Sequence, residues 1–516
     1  MVAGLLLAAT LPTESMAEVE STSDILRWVR HVVFERGTVF EGDELSGLQE
    51  LANGVHVTTR ESVLRREMRL APGDPFDPDL LAESERELRG LSFLDDAEID
   101  LRPVGADSVD LVVRTRDQWS FIPSAIITSG GGLTRVGGAL EELNFLGRGK
   151  YLWGAGEYEN DVGTTWSGGY DDPQLFGSVL EAGFSLASGP LVQDIGGYIE
   201  KPFHDSDASW AWGGWGYLSD EIVRLFDAGE EASRYLELSD DAGLWASRAI
   251  GERYRKWRFN LEYSYSYRTN HEIEGSTNAP LPVDEIAHTT TVGVSREHRS
   301  FVVARRLNKL GRKEDLTLGN GSSASVGRSG FPIPEGIKRW EIDLSHDHRW
   351  HLGEHQYVFV DLGFTTKFEK DTIFYFGARW YDVLGWNTLA ANLEGTFSDK
   401  LDLGRQFTLG ADNGLRGYPA RQFTGVDKLL LNLESRVIPT WELWTVAMGG
   451  VLFVDVGNVW QRDQAIDLAD LNVGAGVGLR LEFTRTPGAP VSQIDLGWPV
   501  NRGGPPALTL GVGQHF

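Results

Sequence analysis

The sequence predicts a mainly β protein: one small α+β module, then an antiparallel β-barrel that crosses a membrane. Three observations lead there. Residues 31–118 mix strand and helix periodicities, whereas residues 119–516 hold almost only period-two alternation. Several of the alternating runs reach roughly ten residues or more, against about 5–6 in a soluble sandwich. The third is composition: 61 Gly and 17 Trp with no Cys. That mixture suits a large soluble β protein as well as a membrane barrel, so the strand pattern decides.

The remaining composition excludes function classes. With 41% hydrophobic and 24% charged residues the 516-residue chain is not wholly disordered. A balance of 75 acidic against 48 basic residues, net −27, argues against nucleic-acid phosphates as partners. The absence of Cys removes thiolate metal sites, disulfides and cysteine nucleophiles.

Val2 to Leu11 form a short apolar run, and Ser15-Met16-Ala17 resembles a small-residue cleavage site, so residues 1–17 read as an export signal. Such a run is too short to span a bilayer, which takes about 20 residues. Its departure from the pattern is that no Lys or Arg precedes Arg27. Residues 18–30 read as a linker. No later segment approaches the length of a membrane helix.

Within the module, HVVFERGTVF at 31–40 alternates as a strand. TRESVLRREMRL at 59–70 and PDLLAESERELRGL at 78–91 carry apolar residues at helical spacing, the second with an Asp/Pro start. AEIDLRP at 97–103 and SVDLVVRTRD at 108–117 are strands joined by Gly105-Ala106-Asp107. This order, with LAPGDPFDPDLLAESERELRGLSFLDDAEIDL, resembles a POTRA (polypeptide-transport-associated) domain. The resemblance implies capture of unfolded polypeptide by strand addition at an open sheet edge.

From Trp119 onward the alternation fits lipid on one face and a wet lumen on the other. Trp257, Phe259, Leu261, Tyr263, Tyr265 and Tyr267 share one face, opposite Arg258, Asn260, Glu262, Ser264, Ser266 and Arg268. About 400 residues over sixteen strands leave roughly 25 per strand and connection, ample for the 9–11 that cross hydrocarbon. Trp210, Trp212, Trp215, Tyr217, Trp340 and Trp350 are candidates for interfacial girdles. Pro123, in the first barrel strand, cannot donate to a ladder and predicts a loose seam against the last strand, where Gly511 and Gly513 also weaken pairing.

The last strand places Leu508, Leu510, Val512 and the final aromatic Phe516 on one face, with polar Gln514 third from the end. Upstream, Leu415-Arg416-Gly417-Tyr418 is followed by KLLLNLESRVIP and by Phe453-Val454-Asp455-Val456-Gly457. Strand alternation turns Glu434 and Asp455 inward, where the fork of an arginine suits a carboxylate. Gly417 and Gly457 clear space for close approach. These motifs, with EELNFLGRGKYL at 141–152, resemble the BamA/TamA outer-membrane assembly superfamily. The resemblance implies a loop folded into the lumen, with Arg416 docked on acidic partners of the next two strands, and Phe516 as an assembly signal.

Other chemistry is thin. His346, His348, His351 and His355 cluster in SHDHRWHLGEHQ but read as a hydrated turn and not as a metal site. The acidic run at 227–243 reads as a surface loop. With no P-loop, G-x-S-x-G elbow or H-E-x-x-H, no enzymatic activity and no cofactor are expected. The resemblance implies an outer-membrane protein, its POTRA domain in the periplasm, that inserts or translocates substrate proteins. Its expected partners are lipid and lipopolysaccharide, unfolded client polypeptides, and periplasmic or lipoprotein accessories. A two-partner secretion transporter and a passive porin or structural barrel stand as alternatives.

Overall fold

The computed structural model describes residues 27–40, 47, 50, 53–54, 56–130, 133–205, 207–252, 254–274, 276, 281–311, 313–368, 370–462, 464–484, 491–512 and 516. The expected export signal, most of the linker, and Gln514 lie outside them. The chain divides into two compact units, residues up to Gly37 with Glu61–Arg116, and Thr38–Arg60 with Asp117–Phe516. Residues 38–60 thus group with the second unit, although the sequence suggested one unbroken module over 31–118.

The first unit is a three-stranded sheet of β1 (Trp28–Gly37), β2 (Leu94–Val104) and β3 (Ser108–Asp117), ordered β1-β3-β2 with β1 parallel to β3. Helices α1 (Glu61–Glu67) and α2 (Pro78–Gly90) complete it. Asp77 starts α2 by accepting from the N–H groups of Asp79 and Leu80 at 2.8 and 3.3 Å, with Pro78 in the first turn. Val63, Leu64 and Leu88 from the helices and Leu111 and Val113 from β3 are buried.

The second unit is a closed antiparallel barrel. Its first strands are β4 (Phe121–Gly130), β5 (Leu133–Glu142), β6 (Tyr151–Glu159), β7 (Gly163–Asp172), β8 (Glu181–Ser188) and β9 (Val192–Lys201). A longer set follows: β10 (Trp210–Asp227), β11 (Glu230–Glu252), β12 (Arg255–Glu272), β13 (Glu285–Arg305) and β14 (Lys313–Ser329). Next come β15 (Trp340–Leu352), β16 (Gln356–Lys367), β17 (Lys370–Leu384) and β18 (Asn387–Asp399). A lumenal hairpin, β19 (Phe407–Leu409) and β20 (Phe423–Gly425), precedes β21 (Asp427–Val437). The short β22 (Glu442–Leu443), β23 (Val446–Trp460), β24 (Asn472–Phe483), β25 (Ser492–Pro499) and β26 (Ala507–Val512) end the chain. β26 closes on β4.

Leaving aside the two-residue β22, twenty strands of the described residues build the wall, not sixteen. The difference lies in the connections: two residues join Asp227 to Glu230, and three join Glu159 to Gly163. Tight turns leave chain for four more strands. The acidic run at 227–243 is likewise mostly strand β11, paired with β10 on one side and β12 on the other. EELNFLGRGKYL holds a turn between β5 and β6.

Register separates the faces. Phe259 and Leu261 are about half exposed on the outside, while Asn260 bonds Ser247 Oγ inside at 2.6 Å. Trp210, Trp257 and Trp340 each lie under an arginine, Arg248, Arg296 and Arg328, within 5.7 Å. Trp215 and Tyr217 sit one step out of phase with Trp210 and Trp212 on the unbroken β10 ladder. They therefore face inward and do not join the girdle. The two rims are named by the seam strands: β4 begins and β26 finishes at the near rim, and the opposite end is the far rim.

Candidate functional site

The connection between β18 and β21 starts at the far rim and folds down the lumen. Its hairpin β19–β20 is tightened by Asn413, whose amide donates to the Thr408 carbonyl at 2.8 Å and whose carbonyl accepts from Gly410 N–H at 2.7 Å. Leu409, Leu415 and Tyr418 then pack with Leu430 and Val459 of the wall, all buried. That apolar contact delivers the next side chain, Arg416, to the polar face of β21, β23 and β25.

Arg416 is 0% exposed and meets three carboxylates. Its Nε and Nη2 donate bidentately to Asp455 at 2.8 Å each, and its main-chain N–H adds a third bond at 3.1 Å. Nη1 donates to Glu434 at 2.7 Å and to Asp495 at 3.0 Å. The guanidinium also lies 3.6 Å from the centroid of the Phe453 ring. Burial alone would favour the neutral form, but the Asp455 bond and the charges of Asp455, Glu434 and Asp495 outweigh it and raise the pKa. Arg416 therefore stays charged.

Two further arginines balance the carboxylates. Arg436 Nε donates to Glu434 at 2.7 Å, and Arg480 donates to both oxygens of Asp495. Asn432 donates to Asp455 and to the Gly414 carbonyl, both at 2.8 Å. The wall beneath is stripped of side chains so that loop backbone touches strand backbone. A Cβ on Gly474 would stand 2.1 Å from the Arg416 carbonyl oxygen. Gly417 itself has φ +98°, and its Cβ would meet the Trp498 main chain at 2.8 Å. Tyr418 closes the site, its hydroxyl donating to the Val473 carbonyl at 3.0 Å and lying 2.8 Å from Asn501 Oδ1.

A second segment reaches the same cage from the near rim. The turn after β13 folds inward, burying Leu307 beside Tyr357, Phe359, Tyr381 and Ala390. Leu310 is buried with Ile438, Ala447 and Val491. Arg436 Nη1 donates to the Leu307 carbonyl at 3.1 Å, and Leu310 N–H donates to Glu482 at 2.6 Å. Glu314 accepts from the N–H groups of Leu307, Asn308 and Lys309.

Of the residues singled out from sequence, Leu415, Arg416, Gly417, Tyr418, Glu434, Phe453, Asp455 and Gly457 come together in this cage. Pro123 lies on β4, and Leu508, Leu510 and Val512 on β26, the two strands that close the barrel. Phe516 departs from the expectation that it continues the face of Leu508 and Leu510. It packs on the inner cluster of Tyr381 and Leu307, with its ring 4.8 Å from the Arg436 guanidinium and its main-chain oxygen accepting from Arg436 at 3.2 Å. A buried cation outcompetes the lipid face for it. Sequence reasoning missed Asp495, Arg480 and the inward turn; an inward position between Ile494 and Leu496 was the available signal for Asp495. His346, His348, His351 and His355 run along β15 and its turn, with His348 stacked on Trp350 and His351 on Tyr357.

Comparison with known families matches residues 357–516 to the Omp85 superfamily domain and residues 52–116 to POTRA, the surface antigen variable number repeat. No curated protein sequence matches. Among solved structures, BamA from Haemophilus ducreyi lacking POTRA domains 1–3 is 14% identical, with 95% of this chain and 85% of that one covered and a TM-score of 0.42. CdiB from Acinetobacter baumannii is 13% identical over 95% of this chain and 74% of that one, TM-score 0.45. CdiB from Escherichia coli is 12% identical over 98% and 93%, TM-score 0.44. The family matches carry the assignment: the chain is a β-barrel protein with an Omp85 superfamily domain and one POTRA domain.

Proposed function

We propose that this chain, in which a POTRA domain precedes an Omp85 superfamily domain, is a bacterial outer-membrane protein that inserts or translocates substrate proteins. POTRA lies in the periplasm and captures unfolded polypeptide by adding it as a strand to the open edge of its sheet. The barrel supplies the route, through its lumen or through the seam between β4 and β26. No catalytic residue or cofactor takes part. Lipid and lipopolysaccharide surround the wall, and periplasmic or lipoprotein partners are further candidates. Omp85 proteins as a class handle unfolded polypeptide.

The observation that supports this reading over a passive pore is the docked loop. Arg416, held by Asp455, Glu434 and Asp495, fixes a long connection inside the lumen. A simple diffusion pore gains nothing from so costly a buried charge. Reconstitution in liposomes with an unfolded eight-stranded barrel protein tests it. Faster client folding supports insertion, and transfer of the client into the liposome supports secretion. Leakage of small solutes alone refutes both.

A further inference from the structure

The barrel wall forks at the near rim. β13 and β14 remain paired down to Arg305 and Lys313. β15, however, follows β14 only as far as the Gly319–Arg349 pair. Among the described residues, Leu316, Thr317 and Leu318 of β14 have no strand on that side, and Trp350, His351 and Leu352 pair with β16 alone. Two strand edges thus border a gap with main-chain groups that the sheet does not use.

The cause is the inward turn. Leu307 seats the tip of the β13–β14 hairpin on the inner face of β16–β18, and Leu310 seats it on Ile438, Ala447 and Val491, so its last residues leave the cylinder. Gly319 makes the bend, with φ +103° and space for no side chain: a Cβ would lie 2.0 Å from the His298 carbonyl oxygen. At the apex is a hollow of about 350 Å³ lined by Glu297, His298, Arg299, Gly319, Asp347 and Arg349. Its charges are mixed, and Arg299 is already paired with Glu297 at 2.6 Å.

We propose that this fork is a docking site for an extended segment of client polypeptide, which pairs with the β14 and β15 edges as an added strand. The identity of the ligand rests on the proposed function; the place is separate from POTRA. Free strand edges select extended backbone whatever its side chains. Proteins that guard an edge against pairing put charge or proline on it; here the charges of β14 lie at its tip, Lys313-Glu314-Asp315, whereas Leu316-Thr317-Leu318 and the β15 edge Trp350-His351-Leu352 carry no Asp, Glu, Lys, Arg or Pro. Because the hollow's charges are mixed, the main chain carries the recognition.

The test uses the full chain in liposomes, with a photo-crosslinking phenylalanine analogue in place of Thr317 or Trp350. Val326, paired on both sides, is the control position, and Arg102 on β2 reports capture by POTRA. Heat-modifiable migration on gels confirms that each variant is folded. The probe is a urea-unfolded eight-stranded barrel protein. Crosslinks at Thr317 and Trp350 with none at Val326 are expected. Capture at Arg102 without crosslinks at the fork overturns this proposal and leaves the proposed function standing. Capture at neither place overturns both. Crosslinks to a second copy of the chain without probe assign the fork to self-association, which also overturns the proposal.

Discussion

Replacing Arg416 by alanine is the sharpest perturbation of the cage, and its magnitude follows from charge balance. Arg416, Arg436 and Arg480 face Glu434, Asp455 and Asp495, so their formal charges cancel. In Arg416→Ala, Glu434 keeps Arg436 and Asp495 keeps Arg480. Asp455 loses its guanidinium and retains only the Asn432 amide and the main-chain N–H of residue 416. Leaving a buried carboxylate without its cation costs about 3–5 kcal/mol. The side chains here are fully buried, so solvent offers little relief. At 1.36 kcal/mol per decade this shifts the docking equilibrium of the loop by about two to four powers of ten. The chain has no native cysteine, so Leu415→Cys is a clean reporter at a position that is 0% exposed. Its maleimide labelling should be slow in the parent background and fast with Arg416→Ala, while the barrel still migrates as a folded band. Arg416→Lys should fall between them, since an ammonium cannot reproduce the bidentate contact with Asp455. Equal labelling rates in parent and Arg416→Ala would refute the cage as the loop's anchor.

Further predictions concern neighbouring parts. Gly474→Val should release the loop as Arg416→Ala does, because its Cβ overlaps the Arg416 carbonyl; the same labelling assay reads it. Tyr418→Phe removes a hydroxyl whose single proton serves the Val473 carbonyl and Asn501 Oδ1 and should weaken docking by about 1 kcal/mol, giving an intermediate labelling rate. Arg436→Leu cuts the tie to the Leu307 carbonyl and should raise single-channel conductance in planar bilayers as the near-rim turn loosens. Leu88→Ala should cost about 2–5 kcal/mol within the POTRA unit, seen as earlier proteolysis there with the barrel's gel migration unchanged.

Much of this was legible in the sequence, for identifiable reasons. The helix over 78–90 carried its own start signal in Asp77-Pro78, and β3 matched its alternating run from Ser108 to Asp117. Arg416, Glu434 and Asp455 were visible because a strand fixes the direction of every second side chain, so two inward carboxylates on successive strands imply a common target. Strand number was not legible, since it depends on turn length, and a two-residue turn such as Ala228-Gly229 leaves little trace inside an acidic run. Asp495 and Arg480 escaped because nothing local ties them to a loop some 65 to 80 positions away. The placement of Phe516 escaped for a related reason: whether an aromatic seeks lipid or a buried cation is decided by the partner across the lumen.

Glu434 carries a consequence beyond its place in the cage. One of its oxygens receives Arg416, which comes from the far rim, and the other receives Arg436, which holds the turn from the near rim. A single carboxylate therefore joins the segments that enter the lumen from the two rims. If undocking at one rim changes docking at the other, linkage requires the same factor in the reverse direction. Displacing either segment removes a guanidinium from the carboxylate that the other also leans on.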